Sequence, residues 1–167
     1  MMKISLITPA GKQSRSGNRI TANRWARIFR ELGHQISERS EELGPTPDIM
    51  VAVHAWRSHE EIKVFSEQNP NRPLIVLLAG TDIYSFQTSH PSETHDSMER
   101  ATVLVCLHDL VNKSIPERFR KKLHVIRQSA KPFLSPRAPA KRRFEVCVVG
   151  HLRDEKDSLR AAIAARS

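Results

Sequence analysis

The chain has 167 residues, of which 39% are hydrophobic and 27% are charged, a composition that excludes a wholly disordered protein. This length suits one complete domain with a fragment of a second. No apolar run approaches the length of a membrane span, and the amino terminus lacks the apolar stretch of a secretory signal. The sequence therefore predicts a cytoplasmic protein without a membrane span.

The formal net charge is +9, and the first 30 residues contain seven basic side chains and no acidic one. Such a region favours anionic partners, among them polyphosphates, sugar phosphates and nucleic acids. Aromatic residues make up only 5% of the chain, and the sequence contains no nucleic-acid-binding motif. We therefore expect no nucleic acid partner.

The first elements in chain order are a strand, a loop and a helix. Residues 3–8 form a short apolar run, and residues 10–18 are rich in glycine, serine and charge, which predicts a strand followed by a loop. From residue 19 to residue 32 the apolar side chains recur at helical spacing, and Gly33 follows as a stop signal. A β-loop-α unit is predicted here.

Later parts of the chain repeat this alternation. Ser58 and Glu61 fit a capping box at the start of a second helix, and residues 91–101 are compatible with a third. Strands that lack inside–outside alternation and are separated by helices indicate a parallel sheet covered on both faces. The predicted fold class is doubly wound, Rossmann-like α/β. Its further strands are expected in four apolar runs, at residues 48–55, 73–79, 102–107 and 123–127.

The last part of the chain predicts a linker and the start of a second lobe. Residues 131–143 hold three prolines and five basic side chains without an acidic one, which is typical of an exposed linker. Residues 144–149 have strand character, and residues 158–166 have helix character. Cys106 and Cys147 each lie in a predicted strand, where a buried free thiol is expected. The predicted domain, linker and incomplete second lobe occupy residues 1–130, 131–143 and 144–167.

The loop between the first strand and the first helix is a candidate anion site. In open α/β sheets this position exposes loop amides and a helix amino terminus to ligands. Gly11 and Gly17 allow close approach to the backbone. Neighbouring side chains can cap the helix, donate hydrogen bonds or supply charge: Lys12, Ser14, Arg15, Asn18 and Arg19. Because the loop is neither a Walker loop nor a GxGxxG fingerprint, an oxyanion site and a solvated, capped turn are equal alternatives.

A second basic loop lies between the strand and the helix predicted near the carboxyl terminus. Gly150, His151, Arg153 and Lys156 could face a diphosphate near the helix amino terminus, or form only a solvated cap. Two such loops on two lobes suit a transfer between two anionic reactants.

Two candidate catalytic residues follow strands at the edge where ligands bind. His54 ends one strand and could act in proton transfer, although a structural histidine is the more common outcome. Asp82 follows the next strand within Gly80-Thr81-Asp82, where it could orient a sugar hydroxyl or cap a turn. Thr81 is grouped with the anion-binding residues.

With these elements placed, the chain resembles the two-lobed, GT-B-like glycosyltransferases of family 4, and more narrowly the selenosugar synthases of selenoneine biosynthesis. The match runs nearly end to end. It depends on five segments: KISLITPAGKQSRSGNRITANRWARIFRELGH at 3–34, VAVHAWRS at 51–58, LLAGTDIY at 77–84, VIRQSAKP at 125–132 and FEVCVVGHLRDEKD at 144–157.

The resemblance implies that residues 1–130 form an acceptor-binding lobe and that the acceptor is selenophosphate or a similar small anion. It also implies a UDP-sugar donor, such as UDP-N-acetylglucosamine, and a product with a carbon–selenium bond. The donor diphosphate would be held by Gly150, His151, Arg153 and Lys156. The UDP-sugar is a substrate, and neither a resident cofactor nor a metal is expected.

Several alternatives to an active transferase follow from the same residues. Most of the donor lobe is missing, so we expect little turnover from these residues alone unless a second chain supplies that lobe. The first alternative is a non-catalytic acceptor-binding module from a truncated or split gene. A nicotinamide-dependent oxidoreductase is disfavoured because GxGxxG and a suitably spaced acid are absent. A nucleic-acid binder would show a steep salt dependence of duplex binding.

Overall fold

A computed structural model of the chain describes residues 1–38, 47–130, 132, 134–135, 138, 141–142, 146–150 and 157–166. The chain divides into two compact units, Met1–Ser129 and Ala130–Ser167. The first unit contains a six-stranded sheet in the order β2-β1-β3-β4-β5-β6, with every neighbouring pair parallel, which confirms the predicted fold class. The strands are β1 (Lys3–Ile7), β2 (Gln35–Ser37), β3 (Ile49–Val53), β4 (Leu74–Leu77), β5 (Val103–Cys106) and β6 (Leu123–Val125).

Helical segments follow the strands along the chain. A π-helical turn, Asp82–Phe86, follows β4, and such turns are rare and frequently occur at functional sites. The α-helices of the first unit are α1 (Gly17–Glu31), α2 (His59–Gln68), α3 (Gln87–Ser89), α4 (Pro91–Arg100), α5 (Val111–Ser114) and α6 (Glu117–Arg120).

The sheet buries both of its faces. Along β3, Met50 and Ala52 belong to one core cluster and Val51 and Val53 to the other, as the two-residue period of a strand requires. Helix α1 packs on the second cluster through residues such as Ala26, whereas α2, α4 and α6 pack on the first. Continuous apolar strands are therefore stable here because helices cover them on both sides.

Helix α1 begins two residues before the predicted start at residue 19 and ends just before the predicted stop signal, Gly33. Ser16 is its N-cap, and the Ser16 side chain accepts from the Arg19 amide. At the other end Gly33 has a φ of 83°, and the amides of Gly33 and His34 donate to the carbonyls of Arg30 and Phe29 at 2.9 and 3.0 Å. This is a Schellman motif, in which glycine tolerates the left-handed backbone.

Strand β2 is not predicted from the sequence, because it is only three residues long and lacks an apolar run. Its presence matters for ligand binding. Strand β1 has β2 on one side and β3 on the other, so the order of the strands reverses at β1. Ligands of open α/β sheets bind at the carboxyl ends of the strands at such a reversal.

The second unit contains one described helix, α7 (Arg160–Ala164). Within the described part of the predicted strand, residues 146–149, no strand is formed and Cys147 is exposed. The expectation of a buried Cys147 is therefore wrong, because an apolar run becomes a strand only when another strand pairs with it. Cys106 is buried in β5 as expected, and burial raises the pKa of its thiol. Among the described helices, none has the length and apolar character needed to cross a membrane.

Candidate functional site

A buried carboxylate organises the carboxyl ends of β3 and β4. The Asp82 side chain is 0% exposed. Its Oδ2 accepts hydrogen bonds from the amides of Ala55 and Ala79, each at 2.8 Å, and its Oδ1 accepts from the amide of Trp56 at 3.0 Å. Asp82 thus joins the loop after β3 to the loop after β4, and it lies too deep for the direct contact with a sugar hydroxyl that the sequence suggested.

His54 is the fourth partner of this carboxylate. His54 Nδ1 lies 2.7 Å from Asp82 Oδ1, with 2% of the histidine side chain exposed. Because the carboxylate can only accept, its contact with Nδ1 requires a hydrogen on that nitrogen, and the other ring nitrogen, Nε2, lies 3.2 Å from the Thr81 hydroxyl. The order Asp82–His54–Thr81 is that of an orienting acid, a base and a hydroxyl, and we call it the histidine relay.

The backbone of His54 is itself unusual. Its φ of 80° lies in the left-handed region, which is uncommon for a residue other than glycine. The His54 amide donates to the Leu77 carbonyl at 2.9 Å, and the His54 carbonyl accepts from the Ser58 amide at 3.2 Å. Such strain persists only where the surrounding contacts fix the conformation, and it is concentrated at functional sites.

The predicted capping box at the start of α2 does not form. The Ser58 side chain makes no hydrogen bond to the helix and donates instead to the Val53 carbonyl at 2.8 Å. The end of β3 leaves this buried carbonyl in need of a donor, and the hydroxyl satisfies it. Ser58 therefore stabilises the turn that carries His54.

An aromatic cluster beside the relay was missed by the sequence analysis. The ring centroid of Trp56 lies 4.2 Å from that of Phe86 and 4.1 Å from that of His90, and Phe86 is 5.5 Å from His54. Arg57 Cζ lies 5.7 Å from the Trp56 centroid and 6.0 Å from the Phe86 centroid. The one available signal was the aromatic residue two positions after His54, at the edge of the sheet where ligands bind.

Arg19 lies in the first turn of α1 and turns inward against the loop between β1 and α1. Arg19 is 5% exposed. Its Nε donates to the carbonyls of Ala10 and Gly11, each at 3.1 Å. Nη2 also donates to Ala10, and Nη1 lies 3.3 Å from Glu38 Oε2. In this structure the guanidinium of Arg19 holds the loop against α1, so its geometry is that of a positioning residue.

The other predicted anion-binding residues of this loop lie towards solvent. Lys12 and Arg15 are exposed, and no carboxylate of the described residues pairs with either. The Ser14 amide donates to the Gly11 carbonyl at 2.9 Å, and the Ser14 hydroxyl accepts from the Ser16 amide at 3.1 Å. These bonds form a tight turn that leaves both cations outside it.

The first turn of α1 adds positive potential to this loop. It contains no acidic residue, whereas the first turn of α2 contains Glu60 and Glu61. Gly17 and Asn18 are its first residues, and a Cβ added at Gly11 or Gly17 would meet nothing within 4 Å. Open space therefore lies in front of the glycine backbone, where the helix dipole favours an anion.

The register of the sheet places the two loops side by side. Ile7 of β1 is paired with Ala52 of β3, and neighbouring strands lie about 4.8 Å apart. The β1–α1 loop and the turn at His54 therefore leave the same edge of the sheet from adjacent strands. The structure thus brings His54, Thr81 and Asp82 into contact and places the basic loop next to them.

The predicted donor residues belong to the second unit. Gly150 is described and exposed, whereas His151, Arg153 and Lys156 lie outside the described residues. In the part of the chain that the structure describes, no group of three or more His, Cys, Asp and Glu side chains is arranged to hold a metal ion. Comparison of the chain with known proteins finds no family model and no curated protein that matches it.

Proposed function

We propose that this chain carries the acceptor-binding lobe of a selenosugar synthase-like glycosyltransferase, which transfers a sugar from a UDP-sugar to selenophosphate. One observation carries the proposal: a buried histidine relay and a basic helix amino terminus lie at the ends of adjacent strands, where the order of the strands reverses. The relay offers proton transfer and the helix offers anion binding. A transferase with a small anionic acceptor needs both.

The acceptor would bind in front of α1. A phosphate-like anion could accept hydrogen bonds from the free amides of the first turn, while Lys12 and Arg15 supply charge from the loop. Arg19 acts indirectly, because its contacts with Ala10 and Gly11 fix the shape of the loop. Fixed cations would also reduce the repulsion between the acceptor and the diphosphate of the donor.

The relay would act on a protonated acceptor. Thr81 is partly exposed, and if Nε2 carries no hydrogen the Thr81 hydroxyl would donate to it, which would leave the hydroxyl oxygen to accept a hydrogen from the acceptor. As selenium bonds to the anomeric carbon, the bond from that carbon to the diphosphate oxygen breaks and UDP leaves with the electron pair. A proton on the acceptor passes through Thr81 to His54, and Asp82 stabilises the imidazolium that results.

A transfer assay tests the proposal. The chain, at high concentration and without oxygen, is given UDP-N-acetylglucosamine and selenophosphate, and the product is identified by mass spectrometry from the isotope pattern of selenium. We expect a slow reaction that falls by about 10²-fold or more in H54Q, because general base catalysis contributes about that much. H59Q is the matched control, since His59 also contacts a carboxylate, Asp96 at 2.9 Å, but lies on α2.

The results separate the two functions considered. Product formation that depends on His54 and not on His59 supports the transferase. Binding of selenophosphate without any product would instead support the acceptor-binding module. A product formed equally well by H54Q would exclude the relay from the reaction.

A further inference from the structure

Arg57 lies in the loop between β3 and α2, immediately beside the histidine relay. Its amide nitrogen is 3.3 Å from His54 Nδ1, and its side chain is exposed while its guanidinium lies over Trp56 and Phe86. The sequence analysis gave this residue no role. Its position places a permanent positive charge over Phe86, whose ring centroid lies 5.5 Å from that of His54.

The charge of Arg57 is not neutralised by any described residue. Most other arginines of the first unit contact carboxylates. Arg118, for example, lies over the Phe119 ring at 4.5 Å but also lies 4.0 Å from Glu99. Among the described residues, Arg57 contacts aromatic rings but no carboxylate. A guanidinium of this kind keeps all its N–H groups available for a ligand.

The aromatic cluster holds this guanidinium in place. The ring centroids of Phe86 and His90 lie 5.5 Å apart. If the two rings lay on opposite faces of the Trp56 indole, this distance would approach the sum of their distances to Trp56, which is far larger. The two rings therefore do not enclose the indole from opposite sides. Part of the indole surface therefore remains for Arg57. A cation over aromatic rings loses side-chain freedom during folding and not during ligand binding, which favours affinity.

We propose that Arg57 binds the phosphoryl group of a small ligand in front of the histidine relay. The planar guanidinium matches two phosphoryl oxygens at once. The identity of this ligand as the acceptor rests on the proposed function, whereas phosphate binding by Arg57 does not.

The two tryptophans of the chain allow a direct measurement. Trp25 packs edge-on against Phe29 with the centroids 6.2 Å apart, so W25F keeps an aromatic core residue and leaves Trp56 as the only indole. Inorganic phosphate is titrated into the full chain at constant ionic strength, with chloride as the balancing anion. Trp56 fluorescence and calorimetry both report binding, so an altered environment of Trp56 in a variant does not hide the result.

We expect R57Q to weaken phosphate binding roughly tenfold or more, which is the effect of one lost hydrogen-bonded charge. R57K keeps the charge but loses the planar fork, and we expect a smaller loss. R118Q removes the same charge from the other aromatic-held arginine, and we expect it to bind phosphate as the parent does. Circular dichroism melting checks that each variant is folded.

Three results would overturn the proposal: no phosphate binding by the parent, unchanged binding by R57Q, or equal losses in R57Q and R118Q. The transfer assay separates this inference from the proposed function. If R57Q binds phosphate weakly and the parent forms no selenosugar, the Arg57 site stands and the transferase fails. If the parent forms product and R57Q binds phosphate as the parent does, the transferase stands and the Arg57 site fails.

Discussion

The β1–α1 loop and the β3–α2 loop leave the same edge of the sheet, yet they are built in opposite ways. The β3–α2 loop carries the exposed Arg57, but it buries His54, whose side chain is 2% exposed and contacts the 0% exposed carboxylate of Asp82 after β4. The β1–α1 loop presents Lys12 and Arg15 to solvent, and the buried Arg19 that contacts it belongs to the first turn of α1. One loop has a geometry fixed by internal hydrogen bonds, and the other has a surface rich in positive charge.

This difference distinguishes the groups that could transfer a proton from the groups that could bind an anion. A group that transfers protons must hold a defined orientation and tautomer, which needs buried partners. A group that attracts an anion must instead remain accessible, which needs open amides and unpaired cations. Stability and ligand binding should therefore respond differently to substitutions in the two loops.

The largest effect on stability is expected for Asp82. D82N replaces an oxygen that accepts backbone hydrogen bonds with an amide group that cannot accept them, so buried amides lose their partner. We expect a loss of roughly 3 kcal/mol in the free energy of unfolding, measured with urea. D96N is the matched control: Asp96 also contacts a histidine, but its side chain is 39% exposed, and we expect less than about 1 kcal/mol. Equal losses would mean that the buried relay is not a special source of stability.

Arg19 is expected to have the next largest effect, because it is a buried charge that holds the β1–α1 loop through Ala10 and Gly11. R19Q removes the contacts with Ala10, Gly11 and Glu38, and we expect a loss of roughly 2 kcal/mol in urea unfolding. Arg30 contacts the same Glu38 at 2.8 Å, but its side chain is half exposed, so R30Q should cost less than about 1 kcal/mol. If R19Q left the free energy of unfolding unchanged, Arg19 would be a solvated cation like Lys12.

The left-handed backbone of His54 predicts a third, smaller effect on stability, in which glycine at this position is more stable than alanine. Glycine tolerates a φ of 80° and alanine does not, so H54G should be more stable than H54A by about 1 kcal/mol. In the other loop, G17A adds a Cβ that meets nothing within 4 Å at the start of α1, and it should be neutral or slightly stabilising. Thermal unfolding of the three variants gives the comparison. H54A more stable than H54G would contradict the strained backbone.

Most of the fold could be predicted because the central strands are continuous apolar runs. Runs such as residues 73–79 have no polar face, so only a sheet covered on both sides can bury them. The strand predictions failed where strand formation depends on pairing with a neighbouring strand. Gln35–Ser37 forms a strand through its contact with β1, whereas residues 146–149 are apolar and form none.

The site could be predicted in position but not in detail. His54 and Asp82 follow parallel strands, and the carboxyl ends of parallel strands share one edge, so their proximity follows from the sequence. The inward direction of Asp82 and Arg19 does not follow, because it depends on which backbone groups the tertiary structure leaves unpaired. The same cause explains Ser58, whose hydroxyl contacts Val53 and not the first turn of α2.

The smallest effect on stability is expected from the double variant K12Q/R15Q. Both side chains are exposed, so the free energy of unfolding should change by less than about 0.5 kcal/mol. Phosphate binding should nevertheless weaken, and its dependence on ionic strength should become shallower, since two exposed cations act mainly through screened long-range attraction. K113Q is the control for lost charge, because Lys113 lies in α5. If K12Q/R15Q unfolds more easily but binds phosphate unchanged, the basic loop is part of the scaffold, and anion binding at this edge belongs to the β3–α2 loop alone.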